Sequence, residues 1–133
     1  MLGEQIAELK GKIMTQRVLD TEGPTMESGF LFTGTIKGAP VQETVTFVGR
    51  PPAGGVLYGK GQGIIMAGES EVATFTGEGF GRISPSGSCT VRGSFFYRTP
   101  SAGKLAFLNN VVGVFESEID AEGNVTEKVW EWK

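Results

Sequence analysis

Apolar side chains along this chain recur every two residues rather than every three or four, which is the periodicity of half-buried strands. Ala7, Leu9, Gly11 and Ile13 alternate with Glu8, Lys10 and Lys12 and predict a long first strand over Gln5–Leu19. Beyond Met14 the phase blurs through Gln16, Val18 and Leu19, so a bulge or a switch of face is expected before the turn at Asp20–Pro24. Phe30, Phe32 and Ile36 share one face of a second strand that begins near Met26, and Lys37–Pro40 turns the chain tightly into Val41, Val45 and Phe47 of a third. Gly49–Gly55, rich in proline and glycine, reads as the longest connection and a rim loop.

The next stretch organises the rest. Gly59, Gly61 and Gly63 alternate along one strand and Gly77, Gly79 and Gly81 along its neighbour, with Ala67–Ser70 as the turn between them. A register that sets Gly61 opposite Gly77 or Gly79 puts all six on one face, because side chains alternate sides with a period of two. A strand glycine forfeits packing and costs roughly 0.5–1 kcal/mol relative to alanine, so the row predicts a sharply curved wall or a close approach by another group. Valine at Gly61 or Gly79 is therefore expected to harm folding more than valine at Gly54 or Gly55.

A sixth strand follows, with Val91, Phe95 and Tyr97 alternating with Thr90, Arg92, Ser94 and Arg98. Thr99–Gly103 reads as a turn, and Lys104–Ile119 as a strand segment broken at Asn109-Asn110. Asp120–Gly123 has the form of a type I turn with glycine at the left-handed position, leading into a last strand over Val125–Trp132. Connections this short leave no room for crossover helices, so neighbours in sequence pair antiparallel. The fold class is all-β: one eight-stranded antiparallel meander barrel over residues 1–133, with a two-sheet sandwich as the alternative.

Composition narrows the function classes. The 133 residues carry 21 glycines without a Gly-X-Y period and are 39% hydrophobic, which sets collagen aside and argues against disorder. A net charge of −3 with mixed signs offers no basic stripe to a nucleic acid. The N-terminal stretch mixes Glu and Lys with no apolar run of signal-peptide length, and no segment approaches a membrane helix, so the expected location is the cytoplasm, away from membranes. The single cysteine, Cys89, cannot form an internal disulfide.

Candidate chemistry is sparse. With no histidine, the commonest general base and metal ligand are missing, and Cys89 has no imidazole to activate it. No catalytic residue, metal ligand or cofactor is assigned. Gly59–Gly63 mimics a phosphate loop, but strand residues follow where a helix N-terminus is required. Asp120–Asn124 is far too short for a calcium loop. Glu43, Glu78, Glu116 and Glu118 fall within predicted strands, where a buried one would have a raised pKa and could act as acid or base. Phe32, Phe95, Tyr97 and Trp130 can line an apolar cavity, and Arg92, if it points inward, can hold a ligand carboxylate. The seventh strand is apolar on both faces, Val111, Gly113 and Phe115 against Val112 and Val114, which predicts a homo-oligomer.

The run Gly-Glu-Gly-Phe-Gly81, Arg-Gly-Ser94, Thr-Pro-Ser-Ala-Gly-Lys-Leu-Ala106 and Asn-Asn-Val-Val-Gly-Val-Phe115 resembles the back half of an allene oxide cyclase-like barrel, a group that includes many prokaryotic proteins of unknown function. The resemblance covers about a third of the chain and implies an eight-stranded barrel, often a homo-oligomer, with an apolar cavity used for binding or for steering a cyclisation. No catalytic motif of the plant cyclases matches residue by residue. The functional expectation is a binder of a small apolar or amphipathic ligand without metal or covalent chemistry; an isomerase or cyclase using a buried Glu or Tyr, and a structural protein with a filled core, are the alternatives.

Overall fold

The computed structural model describes residues 2–133, with the backbone course alone at 51–53. Eight strands follow one another around a closed barrel: β1 (Leu2–Asp20), β2 (Thr25–Ile36), β3 (Ala39–Ala53), β4 (Val56–Ala67), β5 (Glu71–Ile83), β6 (Cys89–Arg98), β7 (Val112–Ile119) and β8 (Asn124–Trp132). Each pairs antiparallel with its sequence neighbour, and β1 pairs with β8 from Leu2↔Trp132 to Lys12↔Asn124, so the sheet closes on itself and the sandwich alternative falls. The bulge expected after Met14 lies between Ile13 and Thr15, where the β1–β2 register shifts. β1 has by then left β8, and Met14–Asp20 with the start of β2 form an arm at the barrel rim.

Alternation fixes the two faces. Leu9, Phe32, Val45, Ile65, Phe75, Phe95, Phe115 and Val129 are buried, while ionised side chains such as Lys10, Lys60, Glu78, Arg92, Glu116 and Lys128 occupy outward positions. The glycine row faces inward, with Gly61 opposite Gly77 and Gly59 opposite Gly79. Its purpose is visible in the pairing. Phe32 lies directly across from Gly11, Phe47 from Gly61, Phe75 from Gly63, Phe95 from Gly77 and Phe115 from Gly93. A Cβ at any of these glycines would collide with the ring opposite it. Each glycine is thus a seat for a phenylalanine ring, which lets rings lie flat against the wall of a narrow barrel.

Two expected connections differ. β3 continues to Ala53, so the rim loop shrinks to a turn at Gly54 and Gly55, both at positive φ. Lys104–Asn110 is not a strand: it is an inserted plug with a 3-10 turn at Ala106–Leu108. Leu105 and Leu108 are fully buried, and the Leu105 N–H donates to Glu71 Oε1 at 2.9 Å. Asn110 ends the plug at φ 65°, a left-handed position that asparagine tolerates. The plug seals the barrel end that holds the β2–β3 and β4–β5 turns. The opposite end, with the turns after β1, β3, β5 and β7, stays open. Among the described residues no helix is long and apolar enough to cross a membrane.

Candidate functional site

Behind the open end lies a cavity of about 410 Å³. Phe30, Phe32 and Phe47 line it from β2 and β3; Phe75, Phe95 and Phe115 from β5, β6 and β7; and Gly59, Gly79 and Gly81 leave it room. The rings form two groups. Phe95 stacks on Phe115 with centroids 4.1 Å apart and touches Phe75 at 4.5 Å, while Phe30 stacks on Phe32 at 5.9 Å and meets Phe47 edge-on at 6.5 Å. Gln16, Met26, Arg50 and Ile83 ring the mouth on exposed positions.

Among the described residues the polar side chains of the interior are few, and Ser28 of β2 is one of those that line the cavity. Glu127 and Ser117 line the cavity from β8 and β7, directly opposite one another in register, and the Ser117 hydroxyl donates to Glu127 Oε1 at 2.7 Å. Burial pushes the Glu127 carboxyl up to about 7, with the Ser117 bond pulling the other way. One layer deeper, toward the plug, sit Glu43 of β3 and Tyr97 of β6, both buried. Burial drives the Glu43 carboxyl well above the usual carboxylate range and the charge of Glu127 adds to it; burial, then the charges of Glu43 and Glu127, push the Tyr97 phenol up in the same way. Two carboxyls and a phenol therefore share one interior, within electrostatic reach of each other. Three such groups are short of a metal cage, and among the described residues no cluster of three His, Cys, Asp or Glu side chains could hold a metal ion.

The residues expected to form the site divide. Phe32 and Phe95 line the cavity; Tyr97 points inward but lies beneath it, outside its lining. Arg92 and Trp130 are corrections. With Phe95 and Tyr97 turned inward, Arg92 falls on the outer phase of β6, where it is exposed and pairs with Glu116 at 3.1 Å. Val129 turns inward on β8, so Trp130 faces out, half-buried against Val114 of β7 rather than against a ligand. Of the strand glutamates considered, Glu43 is buried, whereas Glu78, Glu116 and Glu118 face water. Glu127 and Ser117 were missed. The signal was present as valine two residues either side: Val41-Gln-Glu43-Thr-Val45 and Val125-Thr-Glu127-Lys-Val129 place both glutamates on an apolar phase.

Cys89 also lines the cavity, and burial raises its thiol pKa. The Asp120 carboxylate accepts the N–H groups of Glu122 and Asn124, both at 2.9 Å, which makes this segment a turn and not an ion site.

No protein-family model matches the chain, and no curated protein matches it in sequence. Solved structures do. A protein with unknown function from Clostridium acetobutylicum ATCC 824 superposes with a TM-score of 0.80 at 11% identity, covering 98% of this chain and 98% of the other. A beta-barrel-like protein from Acinetobacter baumannii AYE gives 0.80 at 11% identity over 100% and 96%, and a conserved protein of unknown function from Rhodopseudomonas palustris 0.76 at 9% over 99% and 98%. At these identities the likeness is one of fold: the chain is similar to bacterial proteins that share this barrel, two of them of unknown function.

Proposed function

We propose that this barrel binds a small apolar or amphipathic molecule, non-covalently, in its open half. The observation that carries this reading is the asymmetry of the interior. Leu105 and Leu108 fill one end, as a purely structural barrel requires at both, while the other end keeps an aromatic-lined space of about 410 Å³, within the usual range for small-molecule sites. Ionised side chains around the girth, where a lipid-facing band would be apolar, support a barrel surrounded by water, and a cytoplasmic location agrees with that. Phe96, Val112, Val114 and Trp130 run side by side across the outside of β6, β7 and β8, which supports a second copy of the chain as the cover for that face.

Cys89 supplies the test. It is the only cysteine and lines the cavity, so a bound ligand should shield it from alkylation. An apolar fluorophore is expected to bind the native protein and to slow modification of Cys89 by N-ethylmaleimide, and Val91→Phe, which narrows the cavity, is expected to weaken both effects. A thiol that reacts at the same rate with and without a saturating fluorophore would overturn the reading. An isomerase or cyclase is the second reading, favoured by Glu127, a carboxyl with a pKa of about 7 in the cavity wall and so suited to move a proton at neutral pH; the resemblance to allene oxide cyclase-like barrels points the same way. Native mass spectrometry of protein purified from cells separates the two: an unaltered copurified molecule supports binding, and its conversion on incubation supports catalysis.

A further inference from the structure

Glu127 is a buried carboxyl short of a counter-charge. Among the described residues its carboxyl receives one hydrogen bond, from Ser117 at 2.7 Å. The groups that face it from neighbouring elements are Leu9 of β1, Ser117 of β7 and, from across the interior, Glu43 of β3 and Tyr97 of β6; none is cationic. Among the described residues the one cation lining the cavity, Arg50, sits on the exposed rim. A carboxylate in an apolar enclosure is unfavourable until a positive charge and further donors reach it.

Resting on the binding reading above, we propose that the deep end of the cavity receives the protonated amine of a small amphipathic molecule, with Ser117 holding one oxygen of Glu127 and the ammonium engaging the carboxylate. An ammonium supplies both the missing charge and the missing N–H donors. A hydroxyl head group would leave the charge unmatched. A carboxylate head group would bring a further negative charge next to Glu127 and Glu43 and is disfavoured. The electrostatics of the site agree: burial pushes the Glu127 carboxyl up to about 7, and its charge adds to the burial that raises the Glu43 carboxyl, so a negative charge is available in the cavity above neutrality.

Three probes of matched shape test the head group: 1-naphthylmethylamine, 1-naphthylmethanol and 1-naphthoate, titrated by calorimetry into the native protein at pH 8 and pH 5.5. At pH 8 the amine is expected to bind at least about tenfold more tightly than the alcohol, and the naphthoate more weakly than either. Protonation of Glu127 at pH 5.5 should shrink the preference for the amine. Glu127→Gln, nearly isosteric, should abolish it, so that amine and alcohol bind within about twofold of one another, and Ser117→Ala should reduce it; if Glu127→Gln does not fold, Ser117→Ala and the pH series in the parent decide the matter. Equal binding of amine and alcohol at pH 8, or an amine preference that survives Glu127→Gln, overturns this inference and leaves the binding reading intact. If none of the three probes binds, both fall.

Discussion

Glu43 and Glu127 hold their protons more tightly in the folded barrel than in the unfolded chain, and the sign of the resulting pH dependence follows. For Glu127, with an ordinary pKa of 4.5 raised to about 7, the contribution to stability is complete below 4.5 and is lost as the pH climbs through 7. Glu43 extends the loss to higher pH. Glu127→Gln removes one such group, so at pH 8 it should be more stable than the parent by up to about 3 kcal/mol, while at pH 4.5 the two should nearly coincide. Urea unfolding at the two pH values measures this, and a difference that does not grow with pH would contradict the burial of an ionising carboxyl. The inward turn of these residues is legible in the sequence only as the valine-flanked pattern. Glu78, set between Thr76 and Phe80, and Glu116, between Val114 and Glu118, lack it and face water. The bond between Ser117 and Glu127 was not legible, because it depends on the β7–β8 register rather than on anything local.

Among the elements, the glycine hairpin had the register and the common face that its spacing implies, but the comparison with the rim glycines needs correction. Gly54 and Gly55 lie at φ 66° and 82°, where valine strains the backbone even though nothing crowds it, so they are poor controls. Gly59 is the better one. A side chain there meets the Phe47 ring at 3.6 Å, an ordinary contact, whereas at Gly79 it meets the Arg92 carbonyl oxygen at 2.7 Å, a backbone atom that cannot step aside. Gly79→Val should cost ~1–3 kcal/mol or more by overpacking, and Gly59→Ala should leave the thermal midpoint within a few degrees of the parent. Gly61→Val should resemble Gly79→Val, because it displaces the seated Phe47 ring. The β1–β2 arm makes a separate expectation: Met14–Asp20, paired with β2 and no longer with β8, should exchange amide hydrogens faster than Leu9 or Lys10, which are paired on both sides. Strand order was legible because a period of two survives glycine substitution. The plug was not, since contiguous Leu105–Leu108 has no period to distinguish a buried strand from a buried turn.

At the scale of the molecule, the outer surface mixes ionised side chains with exposed apolar ones such as Leu31, Ile64, Met66 and Phe80, and across β6–β8 Phe96 opposes Val112 and Val114 opposes Trp130. Phe96 is 49% exposed in the isolated barrel, which is the state a second copy would end. Sedimentation at micromolar concentration is expected to show an assembly larger than one chain, and Phe96→Glu combined with Val114→Lys to return it to the monomer without unfolding it. A parent that sediments as a monomer removes the claim. Trp130, counted from the sequence as a ligand contact, belongs to the outside because an aromatic residue near the chain end carries no mark of which face it takes until Val129 fixes the phase.

A ring of strands also constrains how the chain can find its fold. Seven of the eight pairings join sequence neighbours and can zip as hairpins or short closures, but the eighth must bring Ala7 to Val129 across nearly the whole chain, so ring closure is the step that carries most of the loop entropy. Which seam closes last is a property of connectivity, not of shape. A circular permutant that joins Lys133 to Leu2 through a short linker and opens the chain at Gly68 keeps every pairing but hands the closing step to β4 and β5, a seam whose inner face sets Gly59 opposite Gly79 and Gly61 opposite Gly77. That permutant should reach the same barrel and refold more slowly than the parent, and stopped-flow fluorescence of its two tryptophans would time the difference.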